Sequence, residues 1–299
     1  MKSVITSIIG LVSLAACGVS GLWLSETAVP ASTNRHARIA HQTQRITLPD
    51  NSSRDDSADN SDARQKLARK VEMLQKGDSF LRGVAGYTAV LRKQEMVGDE
   101  LLPEQEIEFK CRHQPFSVYL HWITGDKGRE VIYIEGQNNG KMIAHDGGWK
   151  ARLPAFSLDP ECRLAMRDTR CPVSTAGMLY LTQTMLSIHQ DDLAKSNVAS
   201  CQIATDQSFD GRACTVFTTT YKSPAGSPEY RKSITYIDDE WNIPVYSQHF
   251  EWPATNADLN EADLDNATLI ESYSFSKIQM NAPLADRDFD RSNPEYRFR

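Results

Sequence analysis

The chain of 299 residues lacks any basic cluster. Its 33 Lys and Arg are outnumbered by 39 Asp and Glu, giving a formal charge of −6. That balance argues against nucleic acid as a partner, because phosphate recognition needs a concentrated positive face. No Cys-x-x-Cys pair occurs and no histidine stands at zinc-finger spacing, so no metal site is expected. Gly-x-Ser-x-Gly, His-Glu-x-x-His and the phosphate-binding glycine loop are missing too. These absences remove the commonest motif-bearing hydrolases and nucleotide enzymes. No cofactor and no catalysed reaction are expected. There is no internal repeat and no composition break that would mark a second folded domain.

The chain does have a marked beginning. Lys2 is the only early charge, and Val4 to Ala16 is an unbroken run of apolar and small residues. A positive start, a short apolar run and small residues at its end describe an export signal. Leu14-Ala15-Ala16-Cys17 resembles the bacterial lipobox, in which the cysteine thiol takes a diacylglycerol and the leader is cut just before it. Residues 1–17 are therefore expected to be a lipoprotein signal, with Cys17 the lipidation site. Two other readings stay open: an uncleaved membrane helix over Val4–Leu24, which is long enough to span, or cleavage after Ala28 or Ala31. All three place the body outside the cytoplasm. The expected location is the bacterial envelope, membrane-anchored and facing the periplasm.

Cysteine usage fits export. Six cysteines occur, and a lipidated Cys17 would leave five. Cys162 and Cys171 flank a short polar loop, and Cys201 and Cys214 lie on neighbouring strand-like runs. Both pairs are candidates for disulfides in an oxidising compartment, with buried free thiols as the alternative.

Residues 18–61 turn polar, rich in Ser, Thr, Asn and Asp. Such a segment buries too little apolar surface to offset its ordering entropy and reads as a disordered tether. Its mean reach would be on the order of 30–35 Å. Residues 62–299 then read as a single α+β domain. Leu67, Val71, Leu74 and Leu81 recur at helical spacing over 62–83, with Gly77 weakening the second half. Met178, Leu181, Met185 and Ile188 mark a second helix over 175–195, with Ser174 or Thr175 as cap. Between and after the helices lie runs with period-2 alternation, as in Phe116-Ser117-Val118-Tyr119-Leu120-His121-Trp122. Asn139-Gly140 is a hairpin signal. Asp238-Asp239-Glu240 reads as a solvated turn, and Asn256–Asn266 as an acidic loop. The order helix, strands, helix, strands predicts a large antiparallel sheet.

The blocks VLRKQE, GDELLPEQEIEFKCRHQPFSVYLHWI, GREVIYIEGQNNGKMIAHDGG, CPVSTAGMLYL, YIDDEWNIPVYSQHFEW, LIESYSFSKIQMN and LADRDFDRSNPEYRF, in this order, resemble a bacterial envelope family of unknown function. That family carries no established catalytic residues to transfer. The resemblance implies kinship with the periplasmic lipoprotein-localisation carriers (LolA/LolB-like). Their fold is an incomplete antiparallel barrel whose helices cover an apolar cavity for acyl chains. The expected fold is thus a large curved antiparallel sheet covered by about two helices. The expected role is non-catalytic binding of a lipid or acylated ligand, with an envelope interaction module lacking a cavity as the alternative. The expected cavity residues are Phe116, Val118, Leu120, Trp122, Tyr133, Phe217, Tyr236, Tyr246, Phe250 and Trp252, although a filled core would show the same alternation.

Two weaker features complete the reading. His145-Asp146-Gly147-Gly148 follows a strand and could host acid–base chemistry, but Asp and Gly are ordinary turn residues. Asp286, Asp288 and Asp290 echo the start of a calcium loop, and the echo fails at Arg291 and Arg297.

Overall fold

The computed structural model describes residues 56–254 and 259–298. The leader with Cys17, and nearly all of the polar segment, lie outside the described residues. Helix α1 runs Asp56–Arg82, beginning six residues before the expected start at 62. Its buried face carries Leu67, Leu74 and Leu81, as the spacing requires, and also Lys70.

One antiparallel meander follows, through β1 (Gly86–Val97), β2 (Glu100–Leu101), β3 (Gln105–His113), β4 (Phe116–Trp122), β5 (Glu130–Ile134), β6 (Met142–His145) and β7 (Phe156–Leu158). Helix α2 (Met178–Lys195) crosses back. A second meander runs β8 (Val198–Phe209), β9 (Arg212–Tyr221), β10 (Lys232–Asp238) and β11 (Pro244–Phe250), then α3 (Glu261–Thr268) and β12 (Leu269–Met280). The strands join in the order β7-β6-β5-β4-β3-β1-β12-β11-β10-β9-β8, with β2 paired to β1. The seam between the two halves is β1 against β12, antiparallel from Tyr87↔Met280 to Glu95↔Glu271. The path does not return on itself, so the sheet is open and not a closed barrel. Register shifts in β1–β12, β8–β9, β10–β11 and β11–β12 insert bulges, which bend the strands and deepen the sheet's curvature.

Helices α1 and α2 pack on each other, α1 also on β8 and α2 on β11. They divide the covered face into two. Under α1, Leu67 and Leu74 meet Phe217, Ile237 and Ile270 in a filled core. On the side of β1 and β3–β6, Phe109, Val118, Trp122 and Val131 meet Leu81 and Met178. The close approach of α1 depends on Gly77. A Cβ there would fall 2.1 Å from the Asn242 carbonyl oxygen in the β10–β11 turn. The glycine that weakens the helix by propensity is what lets it dock.

Helix α2 starts three residues later than its expected start at 175, and neither Ser174 nor Thr175 caps it. Gly177, at φ +109°, makes the entry turn, and the buried Tyr87 hydroxyl accepts the Met178 N–H at 2.8 Å. A side chain from β1 thus supplies the cap that local sequence does not.

Three further expectations are corrected. The segment 256–266, read as an acidic loop, contains the start of α3. Asn260 accepts the Asp263 N–H, and Asp265 receives Lys232 and Arg231, both at 2.6 Å. Asp238, read as part of a solvated tip, is fully buried and holds the Arg212 guanidinium. The expected disulfides are not formed: Cys111, Cys162, Cys171, Cys201 and Cys214 are all free thiols. Cys201 stands opposite Thr219 and Cys214 opposite Gln207. Five residues of β9 separate those positions, roughly 17 Å, far beyond disulfide reach. Cys162 packs against the first apolar cluster, while the thiol of Cys171 faces a cavity.

Candidate functional site

A cavity of about 170 Å³ lies between the sheet and α2, roofed by the segment from Pro160 to Gly177. The first meander and β12 supply one wall, with Leu91, Ile107, Phe109, Leu120, Trp122 and Phe275. Leu181, Met185 and Ile188 of α2 face them. Three of the four residues of this helix's expected apolar stripe thus border space and not a filled core. The helix's buried residues are Met178, Thr182, Met185, His189 and Asp192, with Met185 common to this set and the cavity lining.

The other end of the cavity is polar. Along the inner face of β1, Leu91 gives way to Lys93 and Glu95. Register places Lys93 opposite Tyr273, and Glu95 opposite Glu271. Ser247 and His249 of β11 then face Tyr273 and Glu271 from the far side. The charges are answered locally. Lys93 Nζ lies 2.7 Å from Glu95, Arg170 lies 3.2 Å from Glu271 and Arg129 lies 3.6 Å from Asp168. Tyr273 donates its hydroxyl to Glu95 at 2.6 Å, and Tyr230 donates to Glu271 at 2.9 Å.

Burial sets the titration of these groups. It raises the Glu271 carboxyl, against the opposing pull of Arg170. For Glu95 burial also pushes upward, but Lys93 and the hydrogen bonds win and the net shift is down. Burial, reinforced by Lys70, brings His249 down to about 3, so its ring is neutral at physiological pH. The Cys171 thiol is pushed up to about 12 by burial, which leaves it protonated and unreactive.

The ten residues expected at a cavity separate by location. Leu120 and Trp122 line it. Phe116 borders a smaller adjoining pocket of about 140 Å³ with His113 and Tyr180, and its ring lies 6.2 Å from Tyr133. Val118 and Phe217 are wholly enclosed by other side chains. Tyr236 and Tyr246 meet edge to face at 5.2 Å, and Tyr246 stacks on Phe209. They alternate with Thr235 and Ser247 and so point away from the cavity. Phe250 is buried under the Lys232 ammonium. Trp252 donates Nε1–H to the Ser227 carbonyl at 2.8 Å, against the α1-side core.

Sequence reasoning missed Lys93, Glu95, Tyr230, His249, Glu271 and Tyr273. A signal existed. In Leu91-Arg92-Lys93-Gln94-Glu95 and Glu271-Ser272-Tyr273, the inward-facing positions stop being apolar while the strand continues. Of the weaker candidates, His145 is buried with neither ring nitrogen hydrogen-bonded, and its nearest ring partner is Phe298 at 6.2 Å. Buried Glu130 stands opposite it on β5, but that carboxylate is taken by the Tyr119 hydroxyl and the Arg297 N–H. Asp286 pairs with Arg112 at 2.6 Å and Asp288 with Lys110 at 2.7 Å. These acids strap the C-terminal segment to β3. No cluster of metal-ligating side chains occurs among the described residues.

Several solved structures resemble this one. They include the lipoprotein LppX of Mycobacterium tuberculosis, at 13% identity and a TM-score of 0.42, covering 75% of this chain and 99% of that one. LprF of Mycobacterium bovis gives 13% identity and a TM-score of 0.40, covering 73% and 95%. A LolA superfamily protein from Nitrosomonas europaea gives 10% identity and a TM-score of 0.31, covering 73% and 96%. No curated protein matches the sequence. Residues 84–298 match the profile of a family described as protein of unknown function, DUF1571, and with that stretch covering most of its length the chain belongs to this family.

Proposed function

We propose that this protein binds a lipid or an acylated ligand without catalysing a reaction, at the envelope, held to a membrane by a lipid on Cys17. The observation that carries this reading is the cavity between α2 and the sheet, apolar along one wall and covered by a segment whose one regular element is a short 3-10 turn at Val173–Thr175. An apolar space between packed elements is the usual form of a small-molecule site. Its size is informative. A cavity of about 150 Å³ accommodates one benzene, so about 170 Å³ takes one short acyl segment. A longer chain requires the Pro160–Gly177 segment to lift. Each methylene moved from water into the cavity contributes about 0.8 kcal/mol. No helix among the described residues is long and apolar enough to cross a membrane, so attachment falls to the N-terminal segment.

The test is direct. The full chain, produced with its own leader, is purified and its bound material extracted for mass spectrometry. Acyl-bearing molecules at near-stoichiometric amounts support the reading. An empty cavity would leave an interaction module instead. Radiolabelled palmitate should mark the wild type and not Cys17→Ala; label on neither removes the lipid anchor from the proposal.

A further inference from the structure

Four large apolar side chains stand exposed among the described residues: Trp149, Leu153, Leu164 and Leu259. Three of them belong to one region. Trp149, 80% exposed, and Leu153, 51% exposed, lie on and just after the 3-10 turn Gly148–Arg152 that follows β6. Leu164, also 51% exposed, lies on the cavity roof. The turn and the roof share a support. Gly147 presses on the β4–β5 connection, where a Cβ would fall 2.3 Å from the Lys127 carbonyl oxygen. Gly148 donates its N–H to that same carbonyl at 3.1 Å. Arg129, at the end of the connection, meets Asp168 of the roof at 3.6 Å. The roof's Arg167, paired with Asp168 at 2.9 Å, is drawn as well by Asp126 and Asp146, which flank the support. Within the roof, Ala165 borders the cavity while its neighbour Leu164 faces solvent. Trp149 and Leu164 thus mark the outer side of the cavity's cover.

Charge here runs against that of the whole. The chain carries −6, yet residues 148–170 hold five Lys and Arg against three Asp and Glu. From Gly148 to Pro154 the only charges are Lys150 and Arg152, and Arg163 flanks Leu164. Among the described residues none of these three is in salt-bridge contact with a carboxylate. Lys150 lies instead 6.0 Å over the Trp149 ring. An exposed tryptophan with leucines and unpaired cations around it is the composition that settles at the level of lipid headgroups. Area speaks against a protein partner. One tryptophan and two half-exposed leucines offer on the order of 400 Å², about half of what each side of a stable protein interface buries. A bilayer needs no shaped counterpart and gains from each cation near its anionic surface.

We infer that this region is a second, non-covalent membrane contact: Trp149, Leu153 and Leu164 enter the headgroup layer of an anionic bilayer, and Lys150, Arg152 and Arg163 meet its phosphates. The contact orients the folded domain, with the roof of the cavity turned toward the lipid. It depends neither on a lipid at Cys17 nor on what the cavity holds.

Trp149 supplies the readout. The full chain is mixed with vesicles of phosphatidylcholine and phosphatidylglycerol, with and without bromine near the headgroup end of the phosphatidylcholine chains. Subtracting the emission of Trp149→Phe isolates this residue among the five tryptophans. Its emission should shift to the blue on adding vesicles and be quenched by bromine. Lys150→Gln and Arg152→Gln should each lower the docked-to-free ratio about fivefold, and vesicles of phosphatidylcholine alone should lower it further. All three changed side chains lie at the surface, and circular dichroism confirms that the variants fold. Emission of Trp149 that ignores bromine overturns the inference. So does a blue shift that grows with protein concentration in the absence of lipid, which assigns the turn to a second copy of the chain. Quenching that is equal on neutral and anionic vesicles overturns the role given to the cations. Extraction of bound acyl material reads the cavity separately. An empty cavity with Trp149 quenched, or a loaded one with Trp149 unquenched, tells failure of one reading from failure of the other.

Discussion

Lys70 lies in α1 facing the sheet, wholly buried, with no carboxylate in salt-bridge contact. Its ammonium donates to Thr235 and sits 6.0 Å from the Phe217 ring. Burial lowers its pKa from 10.5 to about 8, partly offset by Cys201 and Asp192. The drop from 10.5 to about 8 corresponds to about 3 kcal/mol, the cost of keeping the charged form folded. Below pH 8 the lysine is charged in both states and the folded state bears that cost in full. Between pH 8 and 10.5 the unfolded chain still holds the proton that the folded chain has released. Stability therefore rises with pH across this window, and above it the cost is gone. Lys70→Met keeps the length and removes the charge. Allowing about 1 kcal/mol for the lost hydrogen bond to Thr235, the variant should be about 2 kcal/mol more stable than the wild type at pH 7. Its advantage should disappear by pH 10.5. Urea unfolding followed by circular dichroism at pH 7, 8, 9 and 10 measures both claims, with Cys201→Ala in both backgrounds to remove the neighbouring thiol. A difference that does not change with pH, or a wild type that is the more stable at pH 7, would refute the account of Lys70 as a buried charge.

Other outcomes follow from particular contacts. Gly77→Ala should destabilise by about 1–3 kcal/mol in urea unfolding, because overpacking against the Asn242 carbonyl outweighs the gain in helix propensity. Tyr87→Phe leaves the buried Met178 N–H without its acceptor and should cost about 1–3 kcal/mol by the same measurement, with little change in helix content. Asp238→Asn removes the carboxylate from the Arg212 guanidinium, which also stacks 3.4 Å over Trp241. Arg212 is part-exposed and keeps Glu240 at 2.9 Å, so the change should destabilise by about 1–2 kcal/mol and alter Trp241 fluorescence. Leu120→Asp puts a carboxylate on the apolar cavity wall; a variant that keeps its circular dichroism spectrum should lose uptake of 11-bromoundecanoic acid, and retained uptake would place the ligand elsewhere.

Much of the fold was legible because it is written in periodicity. The stripe Leu67, Leu74, Leu81 and the alternation from Phe116 to Trp122 depend only on which face is buried. What was not legible is decided by contacts distant in sequence. The start of α2 rests on a tyrosine 91 residues away. The helical state of residues 261–268 rests on Lys232 and Arg231, whose side chains make an acidic run worth folding. The Cys201 and Cys214 pair was misread because adjacency of two strands says nothing about register, and register decides whether two thiols on neighbouring strands meet.

The cavity residues divide for a reason of the same kind. Alternating apolar positions show that a face is covered and leave open how closely. The two helices differ in that distance. Gly77 brings α1 onto the β10–β11 turn, and beneath it Phe217 and Ile237 fill the space completely. The residues expected on β9 through β11 therefore belong to a core, or to the outer face beyond it. Helix α2 enters instead over Gly177 and Tyr87, behind a long connection from β7 that carries Pro160, Pro172 and little regular structure. It cannot close on β3 and β4 as tightly, and there Leu120 and Trp122 border open space. A small residue at one helix crossing and an irregular connection before the other thus separate filled from hollow. The polar ends of β1, β11 and β12 fall at the boundary between the two, where a bound chain's head would have to stop.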